Sequence, residues 1–209
     1  MEGEFNAQKL VTRTVIWTLV AVFGVLVLTF FVLFAFSPAT LGNLFDNMGN
    51  YSAKIYFYER QYNKTSSIED LYTLVINLDY DKDYNKTFNY ANTLVGKEGF
   101  TDFCAEEDKK LNTSNVEITT AEYCYIQLVT AAYNKDGIDS AINECKRAVK
   151  FCGYKDGNAF RGLLGCKKTV LKKDEKEKMI NAITSLQLSE TEQQIANDDV
   201  LLLNLDSKN

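Results

Sequence analysis

Histidine is absent from the chain, and that absence removes more chemistry than any residue present adds. It excludes Ser–His and Cys–His nucleophile pairs, histidine general acids and every zinc site built on imidazole. Proline occurs once, at Pro38, so few elements are broken by a missing backbone donor. The five cysteines, Cys104, Cys124, Cys145, Cys152 and Cys166, contain no C-x-x-C spacing. A thiolate zinc site or a thioredoxin-like motif therefore has no support. Lys and Arg number 23 against 28 Asp and Glu, a net charge of −5. An acidic chain argues against binding a phosphate backbone, so no nucleic-acid partner is expected. No cofactor, no metal site and no enzymatic activity are expected either. Carboxylates, lysines or thiols could still act alone. The densest such cluster, Cys104 with Glu106, Glu107 and Asp108, reads more simply as a solvated helix end.

What the chain has in quantity is an apolar run. Residues 14–36, "TVIWTLVAVFGVLVLTFFVLFAF", carry no charge and nothing more polar than threonine. As a helix they extend about 34 Å, enough to cross a hydrocarbon core of about 30 Å. A core helix of a small soluble domain keeps one polar face, and this run has none. A secretory h-region is shorter and ends at a small-x-small cleavage site. Here the exit reads "LFAFSPAT", in which Phe34 and Phe36 alternate with small residues. The run reads as a retained signal anchor, with Trp17 suited to an interfacial position. Lys9 and Arg13 precede it, whereas the first charge after it is Asp46 and the first cation Lys54. The positive-inside bias then leaves the N-terminus cytoplasmic. The expected organisation is a cytoplasmic tail over 1–13, a transmembrane helix over 14–36, a juxtamembrane helical linker over 37–66, and an extracytoplasmic helical domain over 67–209.

The remainder reads as helix throughout. Residues 39–62 place Leu41, Leu44, Phe45, Met48, Ile55 and Tyr58 roughly on one stripe, with Gly42 and Gly49 as weak points. "SIED" offers Ser67 as an N-cap with Asp70 at its third position. Asp79, Asp81 and Asp83 alternate like the early ligands of a calcium loop. The glycine and glutamate such a loop needs are replaced by Tyr84 and Tyr90, so Asp83 reads as a helix start. Thr119 and Glu122 form a capping box before "EYCYIQLVTAAYN". A turn at "NKDG" follows, and then "IDSAINECKRAVKFCG", ending in a C′ glycine at Gly153. Short helices are expected near 100–111 and over "NAFRGLLGCKKTVL". An amphipathic helix is expected over "DEKEKMINAITSLQL", with Met179, Ile180, Ile183 and Leu186 inward. Ser189 and Glu192 start a last helix that ends in "VLLLNL". The fold class is all-α: one N-terminal transmembrane helix followed by a bundle or short solenoid of antiparallel helical hairpins.

"AEYCYIQLVTAAYNKDGIDSAINECKRAV" resembles the tetratricopeptide-like helical-hairpin repeats. Tyrosine and leucine lie on its first helix, and small Ala141 and Ala148 lie on the second, where helices approach closely. "LYTLVINLDYDKDYNKTFNYANTL" is similar, with Tyr84, Tyr90 and Ala91 in matching places. The two copies stand about 50 residues apart instead of the 34 of tandem repeats, and the family's Trp, Gly and Pro signatures are missing. The resemblance implies a concave surface for a protein or peptide partner, which Tyr72, Tyr80, Tyr84 and Tyr90 could line. The layout, an anchor plus a helical domain, resembles the ancillary subunit of the bacterial Sec translocon and implies an assembly role. The expected function is a membrane-tethered interaction or assembly module, held in the lipid bilayer through residues 14–36. The alternative is a small-ligand receptor or a surface structural protein.

Two further sets of residues follow from an outer location. Sequons at Asn50, Asn63, Asn85 and Asn112 are candidates for glycosylation. If the second hairpin turns between Asn134 and Lys135, Cys124 and Cys145 are equidistant from the turn. They would then stand at one height, where a disulfide is possible. Pairing of Cys152 with Cys104 or Cys166 is equally open.

Overall fold

The computed structural model describes residues 7–78, 82–110, 118–167 and 171–206. Among them are eleven helices and no strand, which is the all-α class that the periodicity predicts. The chain forms two compact units, Met1–Gln61 and Tyr62–Asn209.

The first unit contains α1 (Ala7–Phe36), α2 (Pro38–Asn47) and most of α3 (Tyr51–Thr65). Within α1, the 27 residues Leu10–Phe36 make a helix long and apolar enough to cross a membrane, and none of its most apolar stretch is buried against protein. Three of its threonines bond inside the helix. The hydroxyls of Thr14, Thr18 and Thr29 donate to the carbonyls of Leu10, Thr14 and Val25 at 2.9–3.0 Å. Pro38 opens α2 at the first helical turn, where its missing N–H costs nothing. The single helix expected over 39–62 is instead two. Gly49 takes φ +70°, a left-handed conformation that ends α2, and Asn50 restarts the chain by accepting from Ala53 N at 3.1 Å. Gly42 has a packing role, since a Cβ there would lie 3.0 Å from the Tyr58 ring. Lys54 is buried and pairs with Asp46 at 2.7 Å, so the first two charges after α1 neutralise each other. Arg60 stacks 4.0 Å above the Phe34 ring and donates to the Phe34 carbonyl at the end of α1.

The second unit comprises α4 (Ile68–Asn77), α5 (Tyr84–Val95), α6 (Phe100–Lys110), α7 (Thr120–Asp136), α8 (Ile138–Cys152), α9 (Ala159–Lys167), α10 (Lys173–Thr184) and α11 (Glu190–Asp206). Its helix starts follow the local chemistry of the sequence. The side chains of Ser67 and Asp83 accept from the amides of Asp70 and Lys86, and Thr119 forms a full capping box with Glu122. At the start of α10, Glu175 reaches back to the Lys172 amide at 2.8 Å, with Asp174 beside it in the first turn. The core is organised around α7, which packs against α4, α5, α6, α8 and α9. The sequence suggests one apolar stripe on α7, through Tyr125, Leu128, Val129 and Ala132. Cys124, Gln127 and Ala131 on the other side are buried as well, because neighbours surround the helix. Of the stripe expected on α8, Ile138, Ala141, Ile142, Cys145 and Ala148 are buried and Val149 is half-buried, and α10 lies against α8 and α11.

The hairpin turn lies later than the sequence suggests. α7 runs on to Asp136 and breaks at Gly137, whose φ of +84° and ψ of −169° suit glycine alone. Cys124 is then 13 residues before the turn and Cys145 only 8 after it. That five-residue offset is about 7.5 Å of helix rise, so the argument that placed the two at one height is lost. Both are free, buried thiols, and Cys104, Cys152 and Cys166 are free as well.

Candidate functional site

Tyr72 leads to the first feature of interest on the second unit. Its ring packs edge-on against Phe103 at 5.3 Å between centroids, leaving it half-buried. Burial first, and then the neighbouring Cys124 and Tyr123, push its hydroxyl up to about 12, so it is a neutral donor at any physiological pH. With Ile118, Thr119, Thr120 and Tyr123 it lines a groove of about 240 Å³ at the start of α7. Ile118 and Tyr123 expose 38% and 36% of their surface there, so the groove offers apolar contact with a polar edge.

Ile118 also lines a larger cleft of about 460 Å³, with Ile126, Asp156, Gly157, Arg161 and Gly162. The two depressions therefore adjoin across one exposed apolar side chain. The floor of the larger one depends on Gly162: a Cβ there would come within 2.6 Å of Ile126 Cγ1, so only glycine lets α9 approach α7 this closely. Behind the cleft stands a buried polar network. Asp199 on α11 is 3% exposed, and its Oδ2 accepts from Tyr154 Oη at 2.8 Å and Asn158 Nδ2 at 2.9 Å. Its Oδ1 accepts from Arg161 Nε at 2.6 Å, with the Arg161 Nη2 ion pair at the same distance. Asn158 is at once a cap for α9, its Oδ1 accepting from the amides of Phe160 and Arg161 at 2.9 and 3.1 Å. Burial, and then Asp199, push the Tyr154 phenol far above its ordinary range. Arg161 is thus held in place at the cleft wall by an anion at its back and by Asp156 at 3.3 Å on the exposed side.

The other residues singled out by sequence are scattered. Tyr90 packs edge-on against Tyr62 at 5.8 Å, and Tyr84 is half-buried in the first turn of α5; neither lines the groove beside Tyr72. Tyr80 lies outside the described residues, as do Asn112, Asp79 and Asp81. The three described sequon asparagines are exposed, with Asn63 and Asn85 inside helices and Asn50 capping α3. The acidic cluster on α6 is engaged structurally. Asp108 accepts from the Thr120 amide and hydroxyl at 2.8 and 2.5 Å, and Glu107 accepts from Lys110 at 2.5 Å. Among the described residues, no group of three or more Cys, Asp and Glu side chains is placed to hold a metal ion. Arg161 and Asp199, 38 residues apart, carry no motif that a reading of sequence could single out. Only Asn158, at the start of "NAFRGLL", offers a local signal as a cap.

No protein-family model matches the chain, and no curated protein compared with it matches either.

Proposed function

We propose that the chain is a membrane-tethered interaction or assembly module, anchored by α1 and using the surface of the second unit to bind a protein or peptide. The observation that carries this reading is α1 itself. Trp17, Phe23, Leu28 and Phe31 are each more than 60% exposed around its circumference, and each such side chain left in water forgoes about 1.5–3 kcal/mol. Lipid removes that cost, and the internally bonded threonines suit the same solvent. Lys9 and Arg13 on the near side, against an Asp46–Lys54 pair on the far side, support an N-terminus in the cytoplasm and the second unit outside it.

The partner surface is the pair of adjoining depressions through Tyr72, Tyr123, Ile118, Ile126 and Arg161. Hairpins α4–α5 and α7–α8, with α5 packed on α7, support the tetratricopeptide-like resemblance, although packing around most of α7 gives the unit more of a bundle character. Engagement of Asp108 and Glu107 in structural bonds, with a Cys104 thiol pushed up to about 12, supports a binding role over catalysis. The size of the larger cleft, about 460 Å³, favours one second reading, a receptor for a small ligand. Photo-crosslinkers at Ile118 and Tyr123 in native membranes test both. Capture of a discrete protein at both positions is expected, and Tyr123→Ala should abolish capture from Ile118. Failure to crosslink any protein there, with retention of a small molecule by the purified chain, would decide for the receptor. Protease added to intact cells should digest the second unit; its survival would reverse the proposed orientation.

A further inference from the structure

The register of α6 against α7 brings two cysteines to matching heights on the two helices. The two helices run antiparallel: Asp108 near the end of α6 bonds Thr120 at the start of α7, while Phe100 at the start of α6 meets Tyr125 at 6.4 Å. Cys104 is four residues before Asp108 and Cys124 four residues after Thr120, so each stands one turn along the facing surface from a contact already made. Both side chains are small and buried, 4% and 0% exposed, which allows the close approach of helices that a disulfide requires. Phe151 closes the same region, 5.7 Å from the Phe100 ring and 5.6 Å from that of Tyr125, and brings half-buried Cys152 at the end of α8 to its edge.

We propose that Cys104 and Cys124, free thiols in the structure, are oxidised to a disulfide that staples α6 to α7, and this rests on the exported orientation proposed above. The oxidant is a disulfide of low molecular mass or of an oxidoreductase. A Cys104 or Cys124 thiolate attacks one of its sulfurs and expels a thiolate, and the second cysteine then attacks the mixed disulfide and expels the other. One oxidant disulfide and two protein thiols become one protein disulfide and two oxidant thiols, with both protons accounted for. Burial pushes the Cys104 thiol up to about 12 and that of Cys152 up to about 11, with Asp108 and Glu122 adding to the effect. Thiols so placed exchange slowly once the core is closed, so the bond forms while the domain folds. The staple replaces the equidistance argument for Cys124 with Cys145, which the turn at Gly137 removes.

The test uses the full chain, refolded in detergent from its reduced, denatured state with a glutathione redox pair and then alkylated under denaturing conditions. Alkyl groups are expected on Cys145, Cys152 and Cys166 only, with a linked 104–124 peptide pair in the non-reducing digest. The linked chain should melt about 5 °C or more above the reduced one. Cys104→Ser and Cys124→Ser should each expose all four remaining thiols, while Cys145→Ser keeps the link. Alkylation of all five cysteines, or a link between any other pair, would overturn the site. The same mapping on chain taken from cells separates the two readings. A link made in vitro but missing from cells, with the domain shielded from external protease, would overturn the exported orientation and leave the site standing.

Discussion

Asp199 and Arg161 illustrate how much a single buried charge can hold. The carboxylate meets donors from Tyr154, Asn158 and Arg161, so its removal strands a phenol, an amide and a guanidinium together. Asp199→Ala should destabilise the second unit by about 3 kcal/mol, measured by denaturant unfolding followed by circular dichroism. Asp199→Asn should cost less, since an amide oxygen can still accept from two of the three. Gly162→Ala is a second test at this scale. The new methyl group would press into Ile126, costing about 1–3 kcal/mol, and Ile126→Ala in the same chain should recover part of that loss. Neither site was legible beforehand. An aspartate in "NDDV" looks like any solvated helix residue, and its partner is set by tertiary packing across 38 positions. The tyrosines show the same limit: composition suggested one lined surface, and packing gave Tyr72 to the groove and Tyr90 to Tyr62.

Helix ends were the most readable elements, because a cap is decided within four residues. Ser67, Asp83, Thr119 with Glu122, and Gly153 all act where the sequence placed them. Boundaries set by a glycine conformation were harder: Gly49 splits the expected juxtamembrane helix, and Gly137 shifts the hairpin turn. The start of α11 joins local and distant bonding in one carboxylate. Glu192 accepts from the Ser189 amide and hydroxyl, and also from the Tyr154 amide at 2.9 Å. The Tyr154 N–H first, and then Ser189, hold its carboxyl below the ordinary range. A carboxyl whose folded pKa is lowered stabilises the fold fully above its unfolded value of about 4.3, and that stabilisation is lost as pH falls through the folded value. Wild-type chain should therefore melt at a higher temperature than Glu192→Gln near neutral pH. The gap should close on acidification below about pH 4, as thermal scans at stepped pH would record.

The whole molecule divides its work between a lipid-compatible rod and a bundle with its own core. The apolar run of α1 was plain from sequence, because an uncharged stretch of that length carries its own solvent preference. The centrality of α7 was not, since burial around most of its circumference depends on five other helices. Phe23→Arg, near the middle of Leu10–Phe36, should cost about 2.5–3.5 kcal/mol of insertion free energy. Carbonate extraction should then release a fraction of the chain to the supernatant while leaving the second unit folded. Full retention in the membrane pellet would show that α1 does not act alone.

A stack of repeats can fray from either tip, losing one hairpin while the rest endures. A bundle wrapped about α7 has no such tip: trimming it from the C-terminus, even only as far as α9, uncovers the middle. Shortened forms of this polypeptide should thus fail outright instead of surviving as smaller working versions.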